Sequence, residues 1–485
     1  MRVGRWWISL VSLWWSARAW SSGGSTAGSS SSRRYGCPSR LQMNPCMCLE
    51  KSKGLDVSCR RVDRQYLLRP GLSAVADMHQ TVMYLRFLES ELSFFPDRLL
   101  NGLDVRHFIA QHCNISRIDE DAFTSLSERL ESLDLSLNLL EEVPTDALRV
   151  LTALVSLNLS YNRIQVVHEW AFRGLISLLR LSLYGNHIVT VDAMAFRGIG
   201  GNLTRVNLGR NFLAQVPSES LQGISVLQQL DLQENRISEL SADRLPTLGS
   251  GLEILNLADN HIRELPAAAF APLRSLISLD IERNGLQYIH PAAFEGIQDS
   301  IEYLKLGHNN VDAIPSSAFQ NLTLLRELDL RGNNISFIAS NAFEGYGRSL
   351  KFMYLQKNGL QTIEPRALDN LDALEWLYLQ SNEIALLNYD VFAPVMDTLV
   401  ILDVHDNPIH CDCSLSWFRR WLMGKGGTVV NQPRETRCRS PEEFSKLSIL
   451  DIPSGSLPCN SCDSLLARRT LGHLVLLGLA FLAAG

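Results

Sequence analysis

The chain has 485 residues, 45 Lys plus Arg against 51 Asp plus Glu, and a formal net charge of −6. Both signs are scattered along it, so it lacks the basic stripe that nucleic acid or an anionic membrane surface requires, and no nucleic-acid partner is expected. Length alone would give several globular domains, but that division fails for a chain built of repeats.

The first segment, residues 1–19, has the layout of a secretory signal: Arg2 and Arg5, an apolar-rich run from Trp6 to Trp15, then Ala17-Arg18-Ala19 as a small-x-small cleavage site. That run is too short to span a bilayer, which needs about 20 apolar residues. Residues 20–36 are rich in Ser and Gly without an apolar pattern, the composition of a flexible leader. Residues 37–79 hold Cys37, Cys46, Cys48 and Cys59 ahead of the first repeat.

Residues 80–409 follow the pattern L-x-x-L-x-L-x-x-N-x-L. Its asparagine falls at Asn138, Asn162, Asn186, Asn211, Asn235, Asn260, Asn284, Asn309, Asn333, Asn358, Asn382 and Asn407. Two upstream units keep the apolar frame with Ser90 and Cys113 in that slot, which makes fourteen repeats. The L-x-L core is a short strand with alternate side chains inward, and no single unit can bury that face alone. Stacking supplies the partner, and the expected form is a curved horseshoe with a parallel β-sheet on its concave face. The asparagines should form a polar ladder that satisfies buried backbone groups, with Cys113 as a small structural thiol. On the irregular, 3-10-like convex side, A-F-x-x-L elements place Phe123, Phe172, Phe196, Phe270, Phe294, Phe319 and Phe343 as an apolar spine. Leu148, Leu221, Leu245 and Leu368 replace the aromatic in four repeats.

A solenoid needs caps, and Cys411, Cys413, Cys438 and Cys459 follow the last repeat in residues 410–459. Spacing leaves three pairings open within each set of four. His410-Cys411-x-Cys413 has zinc-like spacing, but in a secreted chain such cysteines are read as disulfides. With the repeat pattern, CPSRLQMNPCMCLEKSKGLDVSC and NPIHCDCSLSWFRRWL resemble the caps of extracellular leucine-rich-repeat proteins. The layout is similar to the connectin and chaoptin group of adhesion proteins and to the Nogo receptor, which are lipid-anchored. The resemblance implies an α/β-type leucine-rich-repeat solenoid with disulfides Cys37–Cys48, Cys46–Cys59, Cys411–Cys438 and Cys413–Cys459. Trp417 and Trp421, four apart, are expected to pack the cap onto the last repeat.

Residues 460–485 have the layout of a glycosylphosphatidylinositol (GPI) signal that is removed: small residues Asn460-Ser461-Cys462, a polar spacer, and an apolar run from Leu471 to Gly485. Attachment is expected at Asn460, with Ser461 next; Arg468-Arg469 leave a short membrane anchor as the alternative. Such a chain sits on the outer leaflet of the plasma membrane, or is secreted if the tail is unused, and signals only through a transmembrane co-receptor.

Strand residues six, four and two before each ladder residue should line the concave face. In repeats three to nine they are small or polar, with Asp280 and Glu282 expected on a solvated surface. Toward the end they turn aromatic, and Tyr303, Phe352, Tyr354, Trp376 and Tyr378, with Ile401 and His405, are the candidate ligand patch. Sequons stand at Asn114, Asn158, Asn202, Asn321 and Asn334, and a glycan on Asn158 would obstruct the N-terminal half of the sheet. No catalytic, cofactor or metal constellation is present in the sequence. The expectation is a surface recognition or adhesion protein that binds an extracellular protein or itself; the alternative is a secreted carrier that stabilises a partner.

Overall fold

The computed structural model describes residues 35–240, 245, 251–453 and 455–458. The expected signal, most of the leader, Cys459 and the proposed attachment residues Asn460 and Ser461 lie outside the described residues.

One sixteen-stranded sheet runs the length of the solenoid. It starts with the antiparallel hairpin Cys46–Lys51 and Gly54–Arg60, whose second strand pairs in parallel with Thr81–Leu88. Thirteen further strands add in parallel, ending at Ile401–Asp403. The first two repeat strands, Thr81–Leu88 and Asp104–Gln111, are eight residues long, whereas the later ones are three. Each short strand turns its central residue inward: Leu157, Leu230 and Leu328 are at most 1% exposed. The core is therefore a continuous column, with each coil covering its neighbour.

The asparagine ladder is real and makes the same bonds in every repeat it occupies. Asn162 donates from Nδ2 to the Leu135 and Leu159 carbonyls, each at 3.0 Å, and its Oδ1 accepts the Leu140 N–H at 3.1 Å. Asn333 repeats the set with Leu306 at 3.0 Å, Leu330 at 2.9 Å and the Val311 N–H at 3.1 Å. Each amide ties one coil to the previous one. Cys113 does part of this work, its thiol donating to the carbonyls of Phe87 at 3.3 Å and Gln111 at 3.2 Å. Burial pushes that thiol up to about 11, so it stays protonated and unreactive, the structural role expected. Ser90 substitutes similarly, donating to Leu88 at 3.0 Å and accepting from the Val62 N–H at 3.1 Å.

The phenylalanine spine is buried throughout. Phe172 and Phe196 stack at 5.7 Å, and Phe270 and Phe294 at 6.2 Å. Leu148, Leu221, Leu245 and Leu368 fill their places fully buried, so the spine is interrupted in chemistry but not in packing.

Both ends are closed. The cap helix Leu68–Ala76 buries Leu68, Gly71, Leu72 and Val75, the stripe of an amphipathic helix. A Cβ on Gly71 would stand 3.1 Å from the Met43 carbonyl oxygen, so glycine is what lets helix and cap approach. Disulfides join Cys37 to Cys48 and Cys46 to Cys59. At the other end Cys411 bonds Cys438, which removes Cys411 from any zinc site. The Cys413 N–H donates to the Pro458 carbonyl at 3.1 Å, next to Cys459 in sequence. Trp417 donates to the Leu387 carbonyl at 2.9 Å and stacks on Phe392, while Trp421 packs on Phe418 within the cap. Asn431 finishes the exposed sheet edge, donating its N–H to Leu402 at 2.8 Å and its side chain to Asp403 at 2.7 Å.

Candidate recognition surface

Outward-facing residues form three columns, two on the strands and a third, from Ser136 to His405, in the turns just after them. The first runs Ser132, Ser156, Arg180, Arg205, Gln229, Ile254, Ser278, Tyr303, Glu327, Phe352, Trp376 and Ile401 as direct register partners. The second, from Asp134 to Asp403, lies two residues further along each strand.

Much of the second column supports the scaffold. In seven repeats an Asp or Asn there accepts, through Oδ1, the backbone N–H two residues on: Asp134 from Ser136, Asn158 from Ser160, Asn207 from Gly209, Asn256 from Ala258, Asp280 from Glu282, Asp329 from Arg331 and Asp403 from His405. These bonds fix the turn that leaves the strand. At Tyr354 and Tyr378 that support is replaced by aromatic rings.

Those two tyrosines stack at 5.2 Å with planes 6° apart, and Phe352 lies against Trp376 at 4.6 Å. Four rings thus cover two adjacent strands, half-buried, with Ile401 and His405 on the next. Burial first, then the Glu327 charge, holds the Tyr354 hydroxyl protonated far above neutrality, so it is a fixed donor and acceptor. His405 is bonded to Asp403 and is less free than its neighbours. Tyr303 stands apart, because Glu327 occupies the strand between it and Phe352. The Glu327 carboxylate makes no hydrogen bond or ion pair among the described residues, and burial raises it above the ordinary range. It occupies the six-before position of its repeat and was findable by the same rule as the rings.

The expectation for Asp280 and Glu282 needs correcting, since neither is on a solvated surface. Glu282 is only 6% exposed, clamped by Arg283 at 2.9 Å and Arg331 at 3.3 Å. Burial raises the Asp280 carboxyl and pushes those of Asp231 and Asp329 up to about 6. The reason is neighbourhood: Arg283 covers Glu282 from its own repeat, and Arg331 reaches it from two repeats on. Among the described residues no cluster of His, Cys, Asp and Glu is arranged to hold a metal ion.

Asn158 is the last residue of the strand Ser156–Asn158, on the concave side, and Asn114, Asn202, Asn321 and Asn334 are exposed. Because Asn158 uses Oδ1 for Ser160, its Nδ2 is the atom left to carry a glycan. Among the described residues no helix is long and apolar enough to cross a membrane. The three disulfides among the described residues require an oxidising compartment, so the capped solenoid is an extracellular type of module.

Comparison with known proteins agrees with this architecture. A family model for the leucine rich repeat matches residues 105–164, 152–200, 250–310, 299–348, 324–384 and 348–409, together more than half of the chain. Human Toll-like receptor 5 is 34% identical over 76 residues, 16% of this chain and 8% of its own length. Mouse immunoglobulin superfamily member 10 is 32% identical over 87 residues, 16% of this chain and 3% of its own. The chain thus spans less than a tenth of these curated relatives. Among solved structures, a chain of the TLR13–ssRNA13 complex superposes with TM-score 0.65 at 22% identity, covering 82% of this chain and 60% of that one. A chain of the Drosophila Toll–Spatzle complex gives 0.60 at 21%, covering 79% and 52%, and one from the complex of latrophilin 3, Unc5D and FLRT2 gives 0.54 at 24%, covering 63% and 91%. At these identities the likeness is one of fold. With the repeat spacing, the ladder geometry and the matched residues in agreement, the chain belongs to the leucine-rich-repeat family.

Proposed function

We propose that this chain is a cell-surface recognition or adhesion protein that binds an extracellular protein, or a second copy of itself, through the C-terminal part of its concave face. The observation that carries the reading is the four-ring cluster of Phe352, Trp376, Tyr354 and Tyr378, whose two tyrosines stand where seven other repeats keep a turn-supporting Asp or Asn. Half-buried aromatic anchors of this kind concentrate binding energy at protein interfaces. Solved fold relatives in complex with proteins, Toll with Spatzle and FLRT2 with Unc5D and latrophilin 3, support a protein partner. The TLR13 relative is in complex with single-stranded RNA, but an acidic chain with carboxylates along this face favours protein over RNA. An open, rigid face without a water-excluding cavity favours binding over catalysis. In this reading the chain is held at the outer leaflet through a GPI anchor at Asn460 or Ser461 and signals through a transmembrane co-receptor.

The test is a cell-aggregation assay with the chain on one population or on both, comparing the parent with Trp376→Ala plus Tyr378→Ala at equal surface level. The double substitution should abolish aggregation, and unchanged aggregation would refute the interface. Phosphatidylinositol-specific phospholipase should release the protein; complete retention would refute the anchor, and constitutive release would favour a secreted carrier.

A further inference from the structure

The N-terminal half of the concave face holds an arrangement that the aromatic patch does not explain. Arg180 and Arg205 are direct register partners on adjacent parallel strands, both half-buried and facing the same side. Strand spacing puts their Cα atoms about 4.8 Å apart. Like charges directly opposite one another in a sheet destabilise it, and proteins usually answer such a pair with a carboxylate. Here neither guanidinium has a hydrogen bond, ion pair or ring contact among the described residues. Asp231, on the strand after Arg205, lies within electrostatic reach but accepts its hydrogen bonds from Gln229. Arg210 and Arg236 nearby are engaged, the first with Glu234 and Tyr161, the second over the Phe212 ring. The two preceding positions of the column are Ser132 and Ser156, whose small side chains leave the approach from that end low as long as Asn158, on the strand next to Arg180, carries no glycan. Burial and the Arg205 charge both lower the Arg180 pKa, the direction expected of a cation held without a counter-ion.

We propose that Arg180 and Arg205 form a seat for a carboxylate presented by a protein partner. Two guanidiniums side by side offer parallel N–H donors, the geometry that binds a planar carboxylate in bidentate fashion. A sulfated glycan is a poorer fit, because it needs a longer basic track and Asp231 stands on the strand next to Arg205, with Asp134 two strands before Arg180. The seat stands independently of the aromatic patch: seven strand steps, about 34 Å along the sheet, separate Arg205 from Trp376.

The test takes the full chain carrying Asn158→Gln as the parent, which removes any glycan beside the seat, and compares it with the same chain carrying Arg180→Gln, Arg205→Gln, both together and, as a control on the loop side, Arg263→Gln. The probes are poly-L-glutamate and heparin at about 0.15 M salt, where exposed charges are screened beyond about 8 Å. Poly-L-glutamate should bind the parent and the Arg263→Gln control alike, and each seat substitution should weaken it about tenfold. Thermal unfolding supplies the second reading, because relieving uncompensated repulsion should leave the double variant at least as stable as the parent. No poly-L-glutamate binding by the parent, equal binding by the double variant, or a lower melting temperature in that variant would overturn the seat. Tighter, equally substitution-sensitive binding of heparin would overturn the protein carboxylate in favour of a sulfated glycan. Trp376→Ala plus Tyr378→Ala should leave poly-L-glutamate binding unchanged, which separates failure of this seat from failure of the aromatic interface.

Discussion

The two halves of the concave face share one scaffold and differ in what they do with it. From Asp134 to Asp280 the second column is mostly committed to backbone support, and Asn158 offers a glycan attachment point in its midst. At Tyr354 and Tyr378 the same column carries stacked rings, beside Phe352 and Trp376. Because the ladder bonds of Asn162 and Asn333 are the same in kind and nearly the same in length, the difference between the halves is one of surface and not of stability. A repeat protein can therefore vary its working face position by position while each coil keeps its neighbours.

That comparison can be broken first at the scaffold. Asn162→Ala and Asn333→Ala each strand a buried N–H and carbonyls of the neighbouring coil, so each should cost about 2–4 kcal/mol in chemical denaturation, with nearly equal losses in the two halves. A loss confined to one half would show that the ladder is not uniform. Asp231→Asn is the next largest. Its carboxyl, ordinarily near 3.8, is pushed up to about 6 by burial. The folded state therefore holds its proton more tightly than the unfolded one. That contribution is fully present below about 3.8 and is lost as pH rises through about 6. Asparagine stands at this column position in both neighbouring repeats, Asn207 and Asn256. The substitution should raise stability by about 1–2 kcal/mol at pH 7, after allowance for partial exposure, and flatten the pH profile between about 4 and 6. Asp329→Asn should gain less, because that carboxylate is already paired with Arg331 at 3.2 Å. The smallest effect is at Cys113, whose buried thiol should resist alkylation at pH 8 until the chain is unfolded; labelling of native protein would contradict its structural role.

Much of this was legible in the residues. The ladder, the phenylalanine spine and the three columns follow from counting back from each asparagine, because a repeat fixes which residue faces which way. What counting could not supply was neighbourhood. Glu282 reads as a surface acid in its own repeat, and only the curved sheet brings Arg331, 49 residues on, to within 3.3 Å of it. The rule that found Trp376 also selects Glu327, Arg180 and Arg205, but composition gave no reason to single out charged residues until their lack of partners was visible. The Asp and Asn of the second column read as polar surface because their bonds to the backbone two residues on are a matter of turn geometry.

The most direct measurement of the central claim moves the obstruction from one half to the other. Lys305→Asn with Gly307→Ser creates a sequon in the same two columns as Asn158 and Ser160, two strands from Phe352. A side chain at position 307 meets the Arg331 Cγ at 3.1 Å, the Asp329 carboxylate at 3.2 Å and the Arg331 carbonyl oxygen at 3.3 Å, so Lys305→Asn plus Gly307→Ala, which meets the same contacts, is the unglycosylated control. In the cell-aggregation assay, the glycosylated variant should lose binding while its control and Asn158→Gln retain it. Full binding by the glycosylated variant at equal surface level would contradict the assignment of the C-terminal concave face as the site of recognition.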